Sequence, residues 1–258
     1  MPMVKPVYPQ LNKSHPLAVG LRGCWLLGGM GGNVARDISD YQNHGVLSDT
    51  GYLTWAASPY GTALRHGREA GIFAVAPDSN SLDITGTFTL AALVNYEIDT
   101  YNWLPIITKV GTTTNTTPYD FYRDRTGDRL GLRVMAQGLV SNSAAAAIGI
   151  NQWYHVAVVF DGTKLATFCI DGNPCGTAGP YNVFPSASAL ALNIGTGWQG
   201  SMAGAWIYDR ALSPDEIAYH AFDPFAMARP RQRIWKPAAA AAGMFLPQLL
   251  QSGEYGGY

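Results

Sequence analysis

Glu97-Ile98-Asp99 sets two carboxylates two positions apart, which on a strand would share one face of a sheet. A carboxylate pair is what hydrolysis of a glycosidic bond requires, one group donating a proton and the other acting as base or nucleophile. These two follow the apolar run Phe88–Val94 and read as acids of its solvated exit loop. Histidines 15, 44, 66, 155 and 220 are scattered, with no His-x-x-x-His or Cys-x-x-Cys spacing, so no zinc site is expected. His155 alternates with core positions and reads as a strand histidine. No Gly-x-Ser-x-Gly elbow and no phosphate-binding loop is present. The best binding candidates are aromatic. Trp103, Tyr119, Tyr122 and Trp198 fall at strand ends or in loops beside polar residues, where rings can stack on a sugar. The competing role for aromatics, 12% of the chain, is to fill a core or a protein interface.

The elements around these residues are mostly strands. Leu130, Leu132, Val134 and Ala136 alternate with Gly131, Arg133, Met135 and Gln137, the pattern of a half-buried strand. Trp153–Phe160 is apolar on both faces apart from His155, as for a central strand. Leu165–Ile170 follows, closed by Asp171-Gly172, a turn pair that tolerates positive φ. Ala189–Ile194 and Ala203–Tyr208 are further strands. One helix is predicted: Ser213 as cap, Pro214 at the first position and Glu216 completing a capping box. Cys169 and Cys175 flank the Asp171–Pro174 turn and are candidates to face each other across a hairpin. Three cysteines are no disulfide framework, so reduced thiols are the default.

Bulk composition narrows the classes. Charged residues are 14% of 258, against about 25% in typical domains, while apolar residues reach 47%. The chain can bury a large core and keeps a neutral surface, as suits a protein living against neighbours. A net charge of −1 supplies no field for nucleic acid or an acidic membrane. Met1–Pro6 lacks the apolar stretch of a signal peptide, and the run from Pro237 to Leu250 is too short and broken to span a bilayer. Residues 1–19, spaced by prolines, read as an extended N-terminal arm. Residues 20–222 form the body. Residues 223–258 form an extended tail, with Arg229, Arg231, Arg233 and Trp235 set to dock on a partner and Phe245, Leu246, Leu249 and Leu250 as an apolar anchor.

Gly20–Leu27, Asp37-Ile38-Ser39 with Asn43-His44-Gly45, Trp153–Ala157 with Asp161-Gly162, Ile170-Asp171-Gly172, and Ile207–Ser213 with Glu216-Ile217 together resemble the laminin-G-like domains of the concanavalin A-like lectin/glucanase superfamily. The resemblance implies an all-β fold: an antiparallel two-sheet jelly-roll sandwich with one short helix near its C-terminal end. It implies that the strand bearing Trp25 pairs with Ala203–Tyr208, closing a sheet edge. Glucanases of the superfamily resemble one another in Glu-x-Asp-x-x-Glu; here the third position is Asn102, and an amide can neither donate the proton nor act as base. The chain is therefore expected to be no enzyme. Some relatives bind calcium, often through an Asp before the last strand, but Met202–Trp206 lacks one. Asp37 and Asp40 remain, Asp37 capping its own turn, and His44 is expected to bond the backbone. No cofactor is expected, with calcium at Asp37 and Asp40 left as the open alternative.

Ser14–Ala18 before Gly20-Leu21, and Pro224-Phe225-Ala226 with residues 229–237, are similar to tailed-bacteriophage virion proteins carrying this domain. The expectation from that likeness is a decoration or cement-like virion protein, made in the host bacterial cytoplasm. Its tails would hold neighbouring capsid or tail subunits, in a homo-oligomer. The alternative is a phage adhesin that binds host surface glycan. Membrane insertion is not expected, and three tail arginines give nucleic acid little to hold.

Overall fold

The computed structural model describes residues 4–28, 32–48, 50–67, 71–97, 103–110, 117–124, 128–134, 148–197 and 199–229. Among these, fifteen strands form two antiparallel sheets. The first sheet contains β1 (Leu21–Trp25), β4 (Leu53–Ser58), β5 (Gly61–His66), β7 (Phe88–Tyr96), β11 (Trp153–Phe160), β12 (Ala166–Ile170), β13 (Asn173–Ala178) and β15 (Gly200–Tyr208). Its order is β13-β12-β11-β7-β15-β5-β4, with β1 also on β15. The second has the order β10-β9-β8-β14-β6-β3-β2. Its members are β2 (Val34–Ala35), β3 (Gly45–Leu47), β6 (Ile72–Ala76), β8 (Trp103–Thr108), β9 (Tyr119–Asp124), β10 (Arg129–Val134) and β14 (Leu192–Thr196). The fold is the expected jelly-roll sandwich.

The main core lies between the sheets, where Trp25, Phe73, Phe88, Phe121, Phe160 and Ile194 meet. A second core lies on the other side of the eight-stranded sheet. There α1 (Pro214–Phe222), Leu17 of the arm, and Phe225 and Met227 cover Ala91, Leu93, Ala157 and Trp206. Every residue of β15 is consequently buried. The sequence makes residues 223–258 an extended tail with no core of the body to join, yet Phe225 and Met227 pack here. The second core corrects that, because a sheet apolar on both faces demands a cover on each. Residues on both sides of the expected limits at 19/20 and 222/223 contribute to it. Gln10 and Asn12 donate backbone hydrogen bonds to Ala228 and Met227 (3.0 and 2.8 Å), tying the arm to the segment that follows α1.

β1 pairs with β15 as expected, from Leu21↔Tyr208 to Trp25↔Ala205. It closes no edge, however. β15 is central, held by β7 on one side and by β1 and β5 in turn on the other. The Asp-Gly turn joins β12 to β13 with both residues at positive φ, 50° and 83°. The bulge after Phe168 opposes Cys169 to Pro174, and no disulfide joins any two of the three cysteines. The helix begins at the predicted capping box: Glu216 N donates to Ser213 Oγ (3.2 Å) and Ser213 N to Glu216 Oε2 (2.9 Å). The strand expected at Ala189–Ile194 runs instead from Leu192 to Thr196. The arm carries one 3-10 turn, Pro16–Ala18.

The Asp37–Gly45 loop buckles β1 to the second sheet. Asp37 accepts from Cys24 N and Ser39 N at Oδ1 and from Ser39 Oγ and Asn43 N at Oδ2, all within 2.7–2.8 Å. The Trp25 indole donates to Asn43 O (2.9 Å), and His44 Nδ1 accepts from Asp37 N (3.1 Å). The Asx cap and the backbone bond of His44 are both as expected. Among the described residues no helix is long and apolar enough to cross a membrane.

Candidate carbohydrate-recognition face

With α1, the arm and Phe225–Ala228 on one side of the sandwich, the outward face of the seven-stranded sheet is the other broad surface. β8, β9 and β10 build a stacked side-chain cluster on it. Pairing sets Tyr122 between Pro105 and Gly131, and Asp120 between Thr108 and Arg133. The Tyr122 ring lies flat over Gly131, where a Cβ would sit 2.2 Å from Tyr122 Cζ. The Trp103 indole stacks on Tyr122 with centroids 3.6 Å apart and planes at 15°. Arg133 Cζ lies 4.2 Å from the Trp103 centroid. Three π-systems are thus in contact, and a guanidinium held on an indole keeps its N–H edges available while its charge is partly satisfied.

The indole Nε1 donates to Asp120 Oδ2 (3.2 Å). Asp120 is fully buried, and its Oδ1 has no hydrogen-bond partner. Burial pushes its carboxyl up to about 6, while Arg133, Thr108 and Trp103 pull it back. The buried carboxylate orients the indole and the guanidinium from beneath, and the guanidinium is the group of this set that can donate to a ligand's hydroxyls.

Of the four predicted aromatics, the structure joins Trp103 to Tyr122. Tyr119 belongs elsewhere: it points into the main core, donates its hydroxyl to Leu82 O (3.0 Å) and offers no face to a ligand. Trp198 lies outside the described residues, as do Arg231, Arg233, Trp235, Phe245, Leu246, Leu249 and Leu250. Arg229 ion-pairs with Asp223 of its own chain. Glu97 is held by Arg65 in a two-pronged bond (Nε to Oε1, 2.7 Å), and Asp99 and Asn102 are outside the described residues. Asp40 pairs with Lys13 (2.5 Å). Among the described residues no three His, Cys, Asp or Glu side chains cluster as metal ligands.

Sequence reasoning passed over Asp120 and Arg133. The signal for Arg133 was present, an arginine at an outward position of a half-buried strand, whereas Asp120 opposite it is set by the pairing with β9.

The two-sheet sandwich with loops and helix in these positions defines a lectin-like domain. Residues 69–218 match a laminin-G-type family model described as the concanavalin A-like lectin/glucanases superfamily, and the chain belongs to that superfamily. No curated protein matches it by sequence. Among solved structures it is similar to Trypanosoma rangeli sialidase in complex with the inhibitor DANA. The TM-score is 0.59 at 16% identity, over 80% of this chain and 33% of the sialidase. It is also similar to the binding domain of Paraclostridial Mosquitocidal Protein 1, with a TM-score of 0.61 at 12% identity, over 78% of this chain and 52% of that one. The chain thus spans about a third of the sialidase and half of the toxin domain. At such identity the likeness is one of fold.

Proposed function

We propose that the protein is a non-enzymatic carbohydrate-binding module that uses the outward face of the seven-stranded sheet. The observation that carries this reading is the Arg133–Trp103–Tyr122 stack with the buried, half-partnered carboxylate of Asp120 beside it. Arg133 donates to ring hydroxyls, the buried Asp120 carboxylate beneath holds the indole and faces the guanidinium, and the exposed part of Trp103 supplies an apolar surface for C–H groups. The superfamily contains lectins, and the similar toxin structure is that of a binding domain. Both support the reading without specifying a sugar. A glycan array followed by titration tests it. The full chain should bind at least one glycan family, with Arg133→Ala and Trp103→Ala each weakening the contact at least tenfold. An array with no hits, or hits that survive both variants, removes the reading.

A second reading is assembly into a virus particle as a decoration protein. Apolar side chains exposed along the arm favour it: Val7 and Tyr8 are 74% and 78% exposed, Val19 61%. Such surface invites a protein cover. The tail anchor assigned to residues 245–250 lies outside the described residues. Deleting residues 1–19 and 236–258 and measuring incorporation into particles decides it; unchanged incorporation rejects it.

A further inference from the structure

At the edge where β2 and β4 end the two sheets, the arm crosses the opening and encloses a cleft of about 490 Å³. This size falls among small-molecule pockets, about 300–1,000 Å³. The walls are largely apolar. Leu27 and Ala35, which also belong to the main core, form part of the lining, and Trp55 of β4 stands at its side. The cleft therefore reaches from solvent to the space between the sheets.

One cation is fixed in it. Lys5 N donates to Tyr60 O (3.1 Å), anchoring the arm at that residue. Lys5 Nζ donates to Leu27 O (3.0 Å) and Thr62 O (2.6 Å) and lies 5.9 Å from the Phe225 ring centroid. No carboxylate among the described residues pairs with it. The acid that lines the cleft, Asp37, already accepts four hydrogen bonds in the loop buckle. The other charged or titratable groups in the lining are Arg36 and His44, one cation and one potential cation, and Tyr8 on the arm. The strands facing the amine, β4 and β5, contribute Trp55, Gly61 and Thr62 to the wall, none of which carries charge. Desolvation lowers the Lys5 ammonium from its ordinary value to about 7. A desolvated cation with carbonyl partners and no counter-ion is an incomplete electrostatic arrangement, and an anion completes it.

We propose that this cleft binds a free medium-chain carboxylate, with the Lys5 ammonium holding the head group and the alkyl chain lying against Leu27, Ala35 and Trp55. Charge selects the acid, since Lys5 and Arg36 have no anionic rival left in the lining. Shape and polarity select the chain, since the inner wall continues into the hydrophobic core. The site is separate from the sheet face built by Trp103 and Arg133, so it stands whether or not that face binds sugar.

The experiment uses the full chain, calorimetric titration and the fluorescence of a tryptophan-containing cleft. The ligands are octanoate, decanoate and decanol below their aggregation limits. Decanoate is expected to bind saturably and at least tenfold more tightly than decanol. Octanoate should be about fifteenfold weaker than decanoate, from two fewer buried methylenes at about fourfold each. Lys5→Met should erase the acid's advantage over the alcohol, and Lys5→Arg should retain it. In the unaltered chain, decanoate affinity should fall at least tenfold from pH 6 to pH 8.5 as Lys5 loses its proton, while decanol binding stays level. This pH arm needs no variant to fold. Equal affinity for acid and alcohol, a flat pH profile, no saturable decanoate binding, or an undiminished Lys5→Met variant whose melting matches the parent would each overturn the proposal.

Discussion

His155 Nε2 and His220 Nδ1 lie 2.8 Å apart, joining β11 to α1 inside the second core, and the other nitrogen of each ring has no partner. Trp206 and Tyr208 meet the His220 ring edge-on at 4.8 and 6.0 Å. One proton suffices for the contact, so the pair is stable only while neutral overall. Burial lowers His155 to about 4, and burial with the neighbouring His155 and His15 holds His220 well below the usual range. For a base whose folded value is depressed, stability is complete above the unfolded value near 6.5 and is lost as pH falls toward 4. His155 alone accounts for about 3 kcal/mol across that window. Urea unfolding between pH 7 and 5 should show the loss, and a His155→Leu/His220→Leu double variant should flatten it. An unchanged slope in the double variant would assign the acid sensitivity elsewhere.

Asp120 acts in the opposite sense. Its carboxyl is raised to about 6, so its contribution favours the fold at low pH and is lost as pH rises through 6. Asp120→Asn keeps an acceptor for the Trp103 indole and removes a buried charge. It should stabilise the protein at pH 8 by up to about 3 kcal/mol and leave pH 4 nearly unchanged, while weakening any glycan held on that face. Denaturation of both proteins at the two pH values, with glycan titration alongside, reads all three outcomes.

Gly131→Ala should dismantle the recognition stack. The added methyl would lie inside contact distance of the Tyr122 ring, which must lift and carry Trp103 with it. Overpacking of this kind costs about 1–3 kcal/mol. The expected signature is a modest fall in melting temperature together with changed near-ultraviolet dichroism from the displaced indole. An identical dichroism spectrum would mean the rings do not rest on that glycine.

Asp37→Ala should be the most damaging single change in the loop buckle. It strands the backbone donors of Cys24 and Asn43 in a buried site. Each orphaned donor costs about 1–3 kcal/mol, so a loss of about 3 kcal/mol or more is expected in urea unfolding with an unchanged slope. Ser213→Ala, which removes only the helix cap, should cost about 1 kcal/mol and serves as the scale.

Much of this architecture was legible in local chemistry. The capping box, the Asp171-Gly172 turn and the central strand Trp153–Phe160 are written in neighbouring residues, and each is present. The phase of β9 was not legible. Tyr119-Asp120-Phe121-Tyr122-Arg123-Asp124 has aromatics of both parities, and Arg123, which reads as outward, is buried with its guanidinium on Asp128 and Ile148 O. Tyr119 and Tyr122 therefore looked alike, although one fills the core and the other underlies Trp103. Contacts across long stretches, such as His155 with His220 or Lys5 with Thr62, leave no local pattern. The docking of the arm against Met227 and Ala228 was equally hidden, because it depends on a second core that exists only once α1 covers the sheet.

The placement of β1 against β15 has a kinetic meaning. Leu21 finds Tyr208 only after nearly all of the body has left the ribosome, and Gln10 waits longer still for Ala228. The central sheet is thus incomplete for most of synthesis, with β1 unpaired while β4 to β14 emerge. High contact order of this kind belongs to the slow end of single-domain folding, milliseconds to seconds. The central sheet is completed by the pairing of β1 with β15, so it closes only once the last strand of the body is available, not by a front that advances from β1.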